Sequence, residues 1–234
     1  MKTQLLAVAL LLFATEAFAQ QSEDYRFYSV NSGSSMLLFR GRQGMTFSSP
    51  VSGTHFLHSP EFQKGCLRYN GKLYEEVLLN LDVFNHELLI RERNGITNIQ
   101  LSRDYVEWFE MEGSRYENLR ALGYENAPEG FFELLFDGSS RFFRRVDKEI
   151  QRDLEGSMWK SAGYVYDKFV EESSFYLIPA GSRQVSKVSR KNAVLKLFGK
   201  QRKELAAHMR RVDRDSAMDI ETYVLELLRH MEEQ

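Results

Sequence analysis

The chain predicts a mainly β protein, an antiparallel meander or sheet system with a C-terminal helical tail of two to three helices. Three observations carry that prediction. Asn70-Gly71 and Asn94-Gly95 each separate apolar segments, the signal of a type I′ hairpin whose two central residues both need positive φ. Turn residues recur roughly every ten positions between Gly65 and Ser189, as in an antiparallel system rather than βαβ units. After Ser189 the apolar period changes to helical spacing.

The elements follow in order. Residues 1–19 have the three parts of a secretory signal: Lys2, the apolar run Leu5–Phe13, and the small-x-small site Ala17-Phe18-Ala19. That run is far short of the ~20 residues that span a bilayer, so cleavage before Gln20 is expected rather than anchoring. Residues 20–64 are rich in Ser and Gly, with apolar patches around Tyr25-Phe27-Tyr28 and Met36–Phe39, and predict a strand or two among loops. Residues 65–189 form the expected β region. Gly65–Tyr69 turns through Asn70-Gly71 into a strand toward Leu81, in which Val77, Leu79, Leu81 and Val83 alternate with Leu78, Asn80 and Asp82. Leu88-Leu89-Ile90, the Asn94-Gly95 turn and Ile96–Leu101 continue the meander, and Tyr105–Met111 adds a short strand.

Glu112–Glu129, with Gly113, Gly123 and Pro128, predicts a long connection. Phe131–Phe136 and Arg141–Ile150 flank an Asp137-Gly138 turn. A further pair is expected at Tyr164–Val170 and Ser174–Ile178, then a turn at Pro179-Ala180-Gly181 and a last strand at Gln184–Val188. Residues 190–234 are the helical tail: a short helix, a break at Gly199, and a helix from Lys200 to about Arg211. Ser216, with Asp219 three residues on, resembles an N-cap. The closing helix carries Ile220, Tyr223, Val224, Leu227, Leu228 and Met231 on one face.

The run Phe62–Gly65 and Tyr69–Asp82 fits the pattern G-x-x-x-Y-x-G-x-x-Y-x-x-V-x-L. With Leu195–Phe198 and the basic helix after it, it resembles a family of uncharacterised exported proteins common in Bacteroidetes. The resemblance covers most of the chain beyond residue 19 and rests on turn and packing residues. It implies export to the periplasm or cell envelope of a Gram-negative bacterium, or beyond it, and an architecture of β meander, second β region and lysine-rich helical tail. It brings no activity and no catalytic residues.

Composition narrows the chemistry further. Lys plus Arg total 31 against 33 Asp plus Glu, so the near-neutral chain offers no global attraction for nucleic acid, which is not the expected partner of an exported protein. Cys66 is the one cysteine, so an internal disulfide is ruled out and the fold must stand on its core. It stands in an alternating segment and reads as a small strand residue, with a reactive thiol as the alternative.

No catalytic, cofactor or metal residues are assigned from the sequence. His86-Glu87 opens like His-Glu-x-x-His, but position 90 is Ile and the segment alternates like a strand. His55-x-x-His58 is the close histidine pair; solvated loop histidines and a weak metal site are the two readings. Gly41-x-x-Gly44 lacks the Lys-Ser/Thr of a phosphate loop. Adjacent acids such as Glu75-Glu76 and Glu171-Glu172 point to opposite faces of a strand and make poor acid/base pairs. A hydrolase resembling glycosidases could draw two acids from separate strands, about 5–10 Å apart. The aromatics Trp108-Phe109, Phe131-Phe132, Phe142-Phe143, Trp159 and Tyr164-Val165-Tyr166 read as core or as a sugar-stacking face.

One local bias stands out. Between Arg183 and Arg211 basic residues face Glu204 alone. Arg190, Lys191, Lys196, Lys200, Arg202, Lys203, Arg210 and Arg211 are therefore the candidate contacts for an anionic lipid, lipopolysaccharide or glycan surface, against the plainer reading of a solvated helical face. The sequence favours a non-enzymatic envelope protein with a structural or binding role over the hydrolase.

Overall fold

The computed structural model of the chain describes residues 38, 41–44, 51–91, 98–153 and 166–233. The expected signal at Met1–Ala19, the Tyr25–Tyr28 patch, the Asn94-Gly95 turn, Trp159 and Tyr164 lie outside these residues. The described chain is mainly β, with three C-terminal helices on one large, mostly antiparallel sheet.

The twelve strands are β1 (Arg42–Gln43), β2 (Val51–Ser52), β3 (Gln63–Tyr69), β4 (Lys72–Asp82), β5 (Glu87–Arg91) and β6 (Asn98–Gln100), then β7 (Val106–Met111), β8 (Ser114–Glu117), β9 (Phe132–Asp137), β10 (Arg141–Asp153), β11 (Tyr166–Ile178) and β12 (Ser186–Val188). They run in the order β1-β6-β5-β4-β3-β7-β8-β9-β10-β11-β12, and β2 pairs parallel with β11. Asn70 and Gly71 turn at φ 51° and 74°, as the hairpin reading requires. The chain then crosses the meander from β6 to lay β7 against the free side of β3. Gly65 permits this approach, because a Cβ there would stand 2.1 Å from the Glu110 carbonyl oxygen.

Segment 51–57 stitches distant parts of the sheet together. Its β2 pairs with Asp167 and Lys168 of β11, while the Leu57 N–H donates to the Leu81 carbonyl at the end of β4. Lys148 of β10, its side chain 8% exposed, donates from Nζ to the carbonyls of Phe56 and Leu57.

Several sequence expectations are corrected. Glu112–Glu129 is not one long connection: Glu112 and Gly113 turn at φ 53° and 80°, and β8 pairs with β7 and β9. The two strands expected around Tyr164–Val170 and Ser174–Ile178 are one strand, β11, since Glu171, Glu172 and Ser173 stay paired opposite Lys148, Asp147 and Val146. Asn80 and Asp82 do not face water. The loop before β3 covers Asn80, whose Nδ2 donates to the carbonyls of Ser59 and Glu61, and Asp82 accepts from the N–H groups of Phe84 and Asn85.

Helices α1 (Lys191–Leu197), α2 (Arg202–Ser216) and α3 (Ile220–Glu232) close the described chain. Gly199, at φ 49°, makes the expected break, but α2 runs past Arg211 to Ser216. The cap of α3 is Asp219 rather than Ser216: its Oδ1 accepts from the Thr222 N–H at 2.7 Å, and Ser216 is still inside α2.

Three apolar clusters hold these layers. One gathers Leu67, Val77, Leu79, Ile90, Phe109 and Tyr116 on one face of β3–β8. Neighbouring residues on β10 and β11 point to opposite faces. Phe142 and Leu177 pack on Val194, Leu205 and Leu227 of the helices, while Phe143, Tyr176 and Ile178 pack on Leu119, Phe132 and Val185. Phe109, Phe132, Phe142 and Phe143 are fully buried, and these aromatics belong to the core.

Candidate functional site

Turning the chain at Gly199 sets α1 beside α2 and leaves a groove of about 640 Å³ between them. Its floor is apolar. Leu195 of α1, Met209 of α2 and Tyr223 of α3 are all buried, since each also belongs to the cluster that fixes the helices on the sheet. Its rim is basic, with Arg190, Lys191, Lys196 and Arg210 all lining it and no carboxylate among the lining residues. Helical spacing explains this split, because Leu195 and Met209 point into the layer while Lys196 and Arg210, one position on, point outward.

The structure thus gathers four of the eight basic residues singled out from the sequence. Lys200, Arg202, Lys203 and Arg211 are exposed on the turn and on α2 but do not line the groove. Lys191 lies over the Tyr223 ring, its Nζ 5.3 Å from the centroid, and helps hold the Asp219 carboxyl below its usual range after that group's bonds to Thr222. No described residue forms a salt bridge with Arg190, Lys196, Lys200, Arg202, Lys203, Arg210 or Arg211.

The β region is the opposite case, for most of its arginines are matched by acids. Glu117, 1% exposed, accepts from Arg141 through both oxygens at 3.0 and 2.9 Å, and from Arg115 at 2.9 Å. Burial works against the Arg141 charge, but the bonds to Glu117 and Tyr124 outweigh it and raise its pKa. Glu133 takes both Nε and Nη2 of Arg144, and Glu129 lies between Arg103 and Arg120. Asp147 lies 2.8 Å from His86 Nε2 and 2.7 Å from Arg145 Nη2, and these partners overcome burial to lower its pKa.

Two acids from separate strands do meet at the β4–β5 turn, where Asp82 stands opposite Glu87. Burial first, and then the Asp82 charge, raise the Glu87 pKa. Asp82 is committed to shaping the turn, however, with its oxygens taken by the N–H groups of Phe84 and Asn85 and by Asn85 Nδ2.

His55 and His58 stand beside different acids. His55 Nε2 is 3.9 Å from Asp82, and His58 Nε2 is 3.4 Å from Glu112. Burial lowers the His55 pKa, opposed by Asp82 and aided by Lys148. Cys66 is a half-buried strand residue whose Sγ is 3.6 Å from Glu110 Oε2; burial and that carboxylate push the thiol up to about 11, which disfavours the nucleophilic thiolate. His86 lies in the turn before β5, in line with the strand reading of the segment after it.

Sequence reasoning found the rim of the groove and missed its floor. Leu195, Met209 and Tyr223 carry the same periodic signal as any core residue, and nothing local places Tyr223 under Lys191. No known family matches this chain, and neither a curated protein nor a solved structure is similar to it.

Proposed function

We propose that this is an exported, non-enzymatic protein of the cell envelope that binds anionic lipid headgroups through the basic face of α1, the Gly199 turn and α2. One observation carries the reading: most arginines of the β region are matched to acids, whereas Arg190, Lys196, Lys200, Arg202, Lys203, Arg210 and Arg211 form no salt bridge with a described residue. An unmatched basic face on a near-neutral chain is a local field. Each Lys or Arg near an anionic surface contributes about 1 kcal/mol, so several together suffice for binding that salt reverses. Lipopolysaccharide presents the same phosphate chemistry. No helix among the described residues is long and apolar enough to cross a membrane, so attachment by this face is peripheral in this reading.

The test is cosedimentation with phosphatidylglycerol vesicles against phosphatidylcholine vesicles across a salt series. Binding to the anionic vesicles alone, falling steeply with salt and lost when Lys200, Arg202 and Lys203 are all changed to Glu, is the expected result. Binding that survives the triple reversal, or none at low salt, rejects the reading. Heparin binding without vesicle binding moves the assignment to an acidic glycan.

A further inference from the structure

The eight basic residues divide into two sets with different surroundings. Lys200, Arg202, Lys203 and Arg211 stand on open surface. Arg190, Lys191, Lys196 and Arg210 instead surround a concave volume of about 640 Å³ with an apolar floor. Open cations suit a surface that is anionic everywhere. A cationic rim over an apolar floor suits one molecule with an anionic end and an apolar body. The volume falls within the ~300–1,000 Å³ usual for small-ligand sites, where apolar lining supplies affinity and a few polar groups fix orientation.

We propose that the groove between α1 and α2 is a single-occupancy site for an alkyl phosphate, the chemistry of a free monoacyl phospholipid. The phosphate is bound at the rim by Arg190, Lys196 and Arg210, and the chain lies along Leu195, Ala206 and Met209. A phosphate is favoured over a carboxylate because three cations line one rim and guanidinium groups match phosphate oxygens in pairs. Tyr223 completes the apolar end, and the Lys191 ammonium over its ring keeps a cation beside that end as well. Ala206, half-buried on the groove wall, leaves the width that a larger side chain would remove. This rests on the anionic-lipid reading for its ligand class, but its site is the groove-lining part of that face, whereas the vesicle test reverses Lys200, Arg202 and Lys203 outside the groove, so the two can fail separately.

Calorimetry on the full chain, with monododecyl phosphate kept below its micelle concentration, tests the site. Saturable one-to-one binding is expected, at least about tenfold tighter than to inorganic phosphate or to dodecyl maltoside. Lys196→Glu with Arg210→Glu should weaken it by about tenfold or more, whereas the Lys200, Arg202 and Lys203 reversals should leave it intact. Ala206→Phe should block the chain while vesicle binding persists, since it removes no charge. Circular dichroism and the thermal midpoint establish that each variant is folded. If Ala206→Phe does not fold, the charge variants decide. Equal affinity for inorganic phosphate, equal affinity for the neutral detergent, or indifference to Lys196→Glu with Arg210→Glu would each overturn the site. Loss of vesicle binding in the triple reversal, with dodecyl phosphate still bound one-to-one, would separate the site from the surface.

Discussion

Glu117 shows how much one side chain carries here. It is 1% exposed and takes both terminal nitrogens of Arg141, whose side chain is 19% exposed, so its removal leaves that guanidinium with Asp137 and Tyr124 alone. Breaking a buried pair from one side costs about 3–5 kcal/mol, and Glu117→Ala should lower the urea midpoint accordingly. A loss under about 1 kcal/mol would mean that water and the existing bond to Asp137 are enough to hold the Arg141 charge. Cys66→Ser should cost no more than about 1–2 kcal/mol, since the thiol is half-buried and meets Glu110 only at its edge. With the thiol raised to about 11, iodoacetamide should label it slowly at pH 8 and progressively faster up to pH 11. Fast labelling at neutral pH contradicts that environment. Gly65→Ala should disrupt the β3–β7 pairing, because the new methyl meets the Glu110 carbonyl.

The elements were legible wherever the signal is local. Asn70-Gly71 makes its hairpin, and the period of Tyr223, Val224, Leu227 and Leu228 makes α3, whose four residues are at most 3% exposed. Leu227→Asp should therefore cost several kcal/mol in chemical denaturation, while Arg229→Asp on the open side should change little. Equal effects would mean that α3 is undocked. β8 was hidden because its four residues include Glu117, a carboxylate that sequence reasoning puts in water. β11 was divided because Glu171-Glu172-Ser173-Ser174 looks like a turn until β10 supplies partners.

Between α2 and α3 the His208 and His230 rings stack at 3.5 Å, 5° from parallel. Burial, then His230 and Arg211, lower the His208 pKa against the opposing pull of Glu226 and Glu233. The folded state thus binds fewer protons than the unfolded one just below pH 6.5. The contribution is present above that pH and is lost as pH falls through the folded value. Melting temperature should drop more between pH 7.5 and 5 in the wild type than in His208→Gln. Parallel curves would leave the stack without a role.

At the scale of the whole molecule, strand order is what the sequence could not show, because it depends on non-local pairing. Nothing in β6 announces that the next strand crosses the meander to reach β3. The basic residues of the candidate site were likewise visible, but the groove exists only once α1, α2 and α3 are packed. The proposed export makes its own forecast: secreted material should begin at Gln20, and chains retaining Met1 in the membrane fraction would contradict it. Lys148 ties segment 51–57 to β10, and Lys148→Met, which leaves two carbonyls unbonded, should cost about 1–3 kcal/mol for each one that water cannot reach. That same segment has a consequence in time. Val51 pairs with Asp167, about a hundred residues later in the chain, so one of the earliest strands to be synthesised waits for one of the last. Such distant contacts are entropically slow to close, so the sheet is completed late in folding. Until Asp167 has emerged, that edge of the sheet cannot close, a delay that suits a protein if it must cross a membrane before it folds.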